Sequence, residues 1–365
     1  MIKAVLGILF GLAVVVAGIF FCLQLPVFGG KPTGKRLARI QQSPNYRDGK
    51  FQNLSATPLL TGQKSALRST FDFLFHGNTK VRPSKPVPVV KTDLSRLPAN
   101  RNWYVWLGHS SYMLHIDGKR FLVDPVLVSE NPFPFGGKPF PGTDIYRPED
   151  IPEVDYVFIS HDHYDHLDHA TMQALRQRVG MVITGLGVGA HLERWGFPAD
   201  KIVGLDWNEQ VQLAENVMVT ALPARHSSGR ALVQRQTLWA SFLLQTLSET
   251  VYIGGDSGYD DFFAEIAKKH PRISLAVLEN GQYDEDWANI HLFPDQLIRA
   301  VKDLHPHTVV SVHNSKYALA KHDWNEPIQL LVNNAAREGI RLSVPRIGEV
   351  WDLHEKPVLL DPWWQ

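Results

Sequence analysis

Cysteine is nearly absent, with Cys22 alone in 365 residues. One thiol closes no intrachain disulfide and builds no cysteine zinc cluster, so any bound metal must be held by His, Asp or Glu. Charge of one sign is also missing, with 37 basic and 37 acidic residues. A broad nucleic-acid surface needs a basic excess, and no nucleic-acid partner is expected. There is no solenoid repeat and no low-complexity array. What is present is a globular composition, 44% hydrophobic and 20% charged, in a chain long enough to bury a large core in one or two domains.

Residues 4–23 follow Lys3 and carry no charged or strongly polar side chain, a length that matches the hydrocarbon core of a bilayer in helical form. A cleaved signal peptide is the rival, but no small-x-small cleavage pattern is found, and Ile19-Phe20-Phe21 before Cys22 makes a poor lipoprotein site. The expectation is a single-pass membrane anchor over residues 1–28. Lys31, Lys35, Arg36 and Arg39 beyond the span favour a cytoplasmic body, whereas the short start suits an exporting anchor, and the side stays open.

Pro26 to Lys35, with Gly29, Gly30, Pro32 and Gly34, reads as a juxtamembrane linker. Residues 29–100 as a whole read as linker and irregular N-terminal extension, and residues 101–365 as the main folded domain. From Trp103 the pattern becomes strand-like: residues 103–107 and 112–116 alternate around turns, and Asp117-Gly118 supplies the next one. Residues 155–159 form a strand candidate followed by a helix over 167–179. Residues 217–222, 251–254, 273–278 and 308–312 are further strands, and Pro294 opens a helix with Leu297, Ile298, Val301 and Leu304 on one face. Alternating strands and helices indicate a layered α/β body.

The chemistry concentrates in His161-Asp162-His163-Tyr164-Asp165-His166, three imidazoles and two carboxylates at the end of an apolar strand. From a bent loop, His161 and His163 can address one metal while Asp165 and His166 address a second. His226, Asp256 and His313 each follow another strand-like run, and rigid strand ends can converge such groups on one site.

The motif Ser160-His161-x-His163-x-Asp165-His166-Leu167 resembles the signature of the metallo-beta-lactamase superfamily, and the likeness covers roughly residues 101–352. It implies an αββα sandwich with metals at one edge. The same resemblance puts His161, His163 and His226 on one metal and Asp165, His166 and His313 on another, with Asp256 bridging. Two Zn²⁺ ions are expected, with Fe or Mn compatible with the same donors. The nucleophile expected is a metal-bound hydroxide, from a water shared by ions about 3.5 to 4 Å apart.

The segments His161 to Asp168, Gly255-Asp256-Ser257-Gly258-Tyr259, Trp239 to Phe242 and Ala318 to Pro327 look most like the N-acyl-phosphatidylethanolamine-hydrolysing phospholipase D branch. That likeness implies a phosphodiesterase acting on N-acyl phosphatidylethanolamine-like phospholipids, with membrane lipid as its partner. It marks Asp256 and His291 as catalytic, Tyr283, Trp287 and His291 as substrate contacts, and His109 as a hydrogen-bonding support behind the ligands. Asn314-Ser315-Lys316 depart from the branch, and Lys316 is expected to make the pocket favour anions. Phe133, Phe135 and Phe140 are candidates for touching the bilayer. Two other functions fit the same residues: a lactonase or other ester hydrolase, and a non-catalytic, metal-stabilised membrane protein.

Overall fold

The structure is a computed structural model that describes residues 2–62, 80–133, 137–230, 232–359 and 362–365; Phe135 lies outside the described residues. Two seven-stranded sheets form the body. The first runs in the order Val350–Asp352, Trp103–Gly108, Ser111–Ile116, Lys119–Val123, Val154–Ile159, Val179–Gly185, Ile202–Leu205. The second runs Leu342–Ser343, Thr308–Val312, Leu275–Glu279, Thr250–Ile253, Ser241–Gln245, Val217–Leu222, Gln210–Ala214.

Strands joined by hairpins pair antiparallel, and the parallel steps are made by longer connections, most of which carry an α-helix. Asp117 and Gly118 both take positive φ in one such hairpin, as a tight primed turn requires. The parallel steps need crossovers: His169–Leu175 and Gly189–Arg194 serve the first sheet, and Phe262–Lys269, Pro294–Leu304 and Glu326–Glu338 the second. The inner faces share one apolar core in which Phe158 of one sheet meets Phe242 of the other, ring centroids 5.4 Å apart. The result is a layered α/β sandwich, as the sequence reading expects.

Three local differences from the sequence reading have clear causes. The helix expected over 167–179 spans only His169–Leu175. Asp168 starts it late by accepting from the amides of Ala170 and Thr171, and the β-branched run Val182-Ile183-Thr184 takes the chain into a strand instead. Part of the stretch read as linker and extension is ordered as a helix, Gly34–Gln41. Ile40, Phe51, Val87 and Leu94 are buried in the main core, so the described segments 29–62 and 80–100 pack as part of the body.

At the N-terminus, Ile2–Leu23 is one helix, and its Val5–Leu23 segment has mean hydropathy 2.8 with none of its surface buried. By length and composition it could cross a membrane; a signal sequence meets the same test.

Candidate metal centre

Strand ends place the cluster. Val154–Ile159 leads into Ser160 and the six-residue loop, Thr250–Ile253 into Asp256, and Thr308–Val312 into His313. His109, Asp124 and His313 are non-glycine residues held at positive φ (51°, 41° and 67°), a backbone state that persists only where the surroundings impose it. Gly255 has φ +60°, and a Cβ there would sit 2.7 Å from the Ser160 Cβ. Its missing side chain is what lets the Asp256 strand approach the histidine loop.

Two groups of nitrogens and oxygens converge. His161 Nε2 lies 2.9 Å from His163 Nδ1, which is 3.2 Å from His226 Nε2. On the other side His109, Asp165, His166 and His313 present donor atoms all within 4.8 Å of one another. Asp256 Oδ2 stands between, 3.1 Å from His166 Nε2, 3.3 Å from His313 Nε2, 3.8 Å from His226 Nε2 and 3.9 Å from His161 Nε2. All seven residues named as ligands thus meet in one place.

The outer nitrogen of nearly every ring is fixed. His226 Nδ1 donates to Ile290 O at 2.8 Å, and His166 Nδ1 donates to Asp124 Oδ2 at 2.8 Å. His161 Nδ1 lies 2.9 Å from Ser160 Oγ, and His313 Nδ1 lies 2.8 Å from Ser110 Oγ. Rings tethered on one nitrogen present the other inwards, the arrangement by which ligating histidines are oriented. His109 Nε2 reaches Asp165 Oδ2 at 3.0 Å and so supports a carboxylate of the cluster.

Electrostatics ask for a cation. Burial and the neighbouring imidazoles hold His161, His226 and His313 well below the ordinary histidine range, so their lone pairs are available. His166 goes the other way: burial disfavours its charge, but Asp256, Asp165 and Asp124 outweigh that and raise its pKa well above normal. Burial pushes Asp256 up to about 6. His166 Nε2 and Asp256 Oδ1 are buried without a hydrogen-bond partner among the described residues, and buried polar atoms left so are costly. Positive charge placed among these donors would satisfy both, so the donor set fits bound metal.

Several supporting residues escaped the sequence reading. Asp124 accepts from Ser160 N (2.8 Å) as well as from His166. Glu279, at the end of its strand, lies 2.7 Å from His291 Nδ1 and accepts from the amides of Ser257 and Leu292. Asn53, from the N-terminal extension, bonds both the N–H and the C=O of His226. Asp162 takes a structural place, accepting from Gly229 N and Thr237 Oγ1 and lying 3.0 Å from His191 Nε2. Asp162 stands within the six-residue motif, and of the others only Asp124 and Glu279 had a sequence signal, as acidic residues ending apolar strands.

A cleft of about 340 Å³ opens over the cluster, with His163, Asp165, His226, Asp256, His291 and His313 on its floor. Its walls include Leu59, Leu60, Trp287, Ile290 and Leu319. Two expected substrate contacts lie elsewhere. Lys316 is 1% exposed, donates to Val126 O and does not line the cleft, because its long side chain is folded under Gly108. Tyr283 donates to Glu326 Oε1 at 2.7 Å and packs on His322 and Phe293 beside a separate hollow. Phe140 is buried, while Phe133 is 43% exposed.

Residues 119–314 match the family model described as a beta-lactamase superfamily domain. Over its whole length the chain is 38% identical to an uncharacterised protein of Mycobacterium tuberculosis, which it also covers completely. It is 26% identical over 332 residues to N-acyl-phosphatidylethanolamine-hydrolyzing phospholipase D 1 of Caenorhabditis elegans, covering 84% of this chain and 91% of that one. Among solved structures, the metallo hydrolase Igni18 of Ignicoccus hospitalis superposes with a TM-score of 0.53 at 20% identity, covering 69% of this chain and 98% of that one. With its histidine and aspartate cluster, the chain belongs to the metallo-beta-lactamase superfamily and is a metal-dependent hydrolase.

Proposed function

We propose that the chain is a membrane-anchored, two-metal phosphodiesterase that hydrolyses N-acyl phosphatidylethanolamine-like phospholipids. The observation that carries this reading is one cleft with a metal-ligating floor and apolar walls, Leu59, Leu60, Trp287, Ile290 and Leu319. Such a cleft suits a diester joined to acyl chains. The name of the Caenorhabditis elegans relative supports the same substrate class, and the apolar N-terminal helix suits an enzyme whose substrate lies in a bilayer.

His161, His163 and His226 hold one ion in this reading, Asp165, His166 and His313 the other, and Asp256 lies between. Zinc is the first choice for such imidazole and carboxylate donors, with iron and manganese compatible. When bound, the ions would lower the pKa of a water and offset charge on the phosphate oxygens. The chain's own contribution to bond breaking is His291. Glu279 tethers its Nδ1, and burial lowers its pKa, so Nε2 is an acceptor that takes the proton given up by the attacking water as its oxygen bonds phosphorus and passes it to the ethanolamine oxygen as the bond from that oxygen to phosphorus breaks. Trp287 and the leucines hold the acyl chain.

The test is a product-resolved assay of the zinc-loaded full chain on N-acyl phosphatidylethanolamine, ordinary phospholipids, lactones and single-stranded nucleic acid. Phosphatidic acid and N-acylethanolamine are the expected products. Lactone opening with no diester turnover would replace this reading by the ester-hydrolase alternative. His291→Gln is expected to lower kcat by roughly 10² to 10⁴, the usual contribution of a positioned acid, with metal content unchanged by elemental analysis.

A further inference from the structure

The residues immediately after the apolar helix are bonded to the loop that carries the metal cluster. Arg230 is 5% exposed, and its guanidinium donates to Val27 O on one side and to Asp162 O and Leu167 O on the other. It lies 4.1 Å from the ring centre of Tyr164. Trp195 Nε1 donates to Pro26 O at 2.8 Å, Arg194 to Gln24 O and Gly29 O, and Gly30 N to His191 Nδ1 at 3.0 Å. Gly29 has φ +73°, and a Cβ there would come 2.0 Å from His191 Nδ1. Residues 24–30 are therefore a seated strap, and the body cannot swing freely beneath the helix.

Arg230 also belongs to a small hairpin, Gly229–Arg230 paired with Val233–Gln234. Gln234 and Ser227 line the cleft, so the hairpin forms part of its rim. Its tip carries Leu232, 77% exposed, and Val233, 45% exposed. Leu25 on the strap is exposed, as is Val128 in the loop bonded to Asp168, and Phe133 of that loop packs its ring 6.1 Å from Phe28 of the strap. The hairpin is tied to the strap through Arg230 and Val27, and exposed apolar side chains on both, beside a fixed anchor, call for a covering surface.

We infer that this face, centred on the Leu232–Val233 tip and continuous with the apolar helix, seats in the phospholipid surface of the bilayer that the helix crosses, so that the cleft rim opens onto the membrane. Lipid is the occupant because the strap leads directly from the helix into the face and fixes its position relative to it. The inference rests on the reading of Val5–Leu23 as a membrane span and is independent of the substrate.

The experiment uses the full chain with Cys22→Ser and a nitroxide at Leu232→Cys, reconstituted in phosphatidylcholine and phosphatidylethanolamine vesicles. Leu247 is the control: it is equally exposed at 77%, but it follows Gln245, which pairs with Met218 at the end of the sheet away from the metal cluster. Relaxation by oxygen against relaxation by a water-soluble nickel chelate should shift towards oxygen at 232 relative to 247, and a label at Val233→Cys should report the same shift. Vesicle-bound protein whose 232 label is as wet as that at 247 overturns the seating and leaves the span intact. A 232 label shielded from both reagents means a protein partner or second copy, and also overturns it. Protein that fails to float with the vesicles overturns span and seating together.

Discussion

Asp124 Oδ2 accepts from both His166 Nδ1 and the Ser160 hydroxyl, while Oδ1 accepts from Ser160 N. Asp124→Asn therefore turns an acceptor facing His166 into an amide donor and disfavours the tautomer whose Nε2 points inwards. Metal affinity should fall by roughly 10 to 100-fold, the usual effect of losing such a partner, as read by competition with a chelator. Lys316 makes a separate, pH-dependent prediction. Burial lowers its amine from the ordinary 10.5 to about 8, which corresponds to roughly 3 kcal/mol against the protonated folded state. That penalty is complete below about pH 8 and is relieved as pH rises towards 10.5, because the folded chain releases the proton before the unfolded one does. Lys316→Met should raise stability at pH 7 by ~1–3 kcal/mol, and the gain measured by denaturant titration should shrink between those two pH values.

Among the elements, Asp168 is responsible for more than the start of one helix. Its carboxylate accepts from Ala170 and Thr171 in His169–Leu175 and from Val128 and Ser129 in the loop beside the metal segment. Asp168→Ala should cost about 2 kcal/mol, the upper range for a lost cap, in a urea titration followed by circular dichroism. A loss under 0.5 kcal/mol would mean that the loop amides find water instead. The sequence made the ligand-bearing strands legible because each is a short apolar run ending at His, Asp or Glu. The strand Val179–Gly185 was missed because the helix reading ran through its first residue, Val179, which continues the spacing of Leu175. Asn53, Ser110 and Arg230 had no local signal at all. Asn53 acts on His226, 173 positions away, and Arg230 on Val27, 203 positions away, so their roles exist only once the sheets have closed. Lys316 and Tyr283 misled for the converse reason: nearness in sequence to His313 and His291 does not specify which side of the loop a side chain takes.

For the whole molecule, the strap makes two truncations differ in kind. Removing residues 1–23 takes away the apolar helix but leaves the carbonyls of Gln24, Pro26, Val27 and Gly29 in place for Arg194, Trp195 and Arg230. That protein should keep its melting temperature and metal content, act on soluble diesters almost as the full chain does, and lose turnover chiefly on bilayer substrate. Removing residues 1–30 strips those acceptors from the buried side chains of Trp195 and Arg230 as well as from the exposed Arg194, and each buried donor left unpaired costs about 1–3 kcal/mol. Arg230 would then hold only its bonds to Asp162 O and Leu167 O, and the loop carrying His161 to His166 would lose its outer support. The longer truncation should therefore melt at lower temperature and bind metal more weakly, which calorimetry and chelator competition would measure. Equal melting of the two truncated forms would show that the strap rests on the body without holding it, and that the metal loop is supported from within the sheets alone.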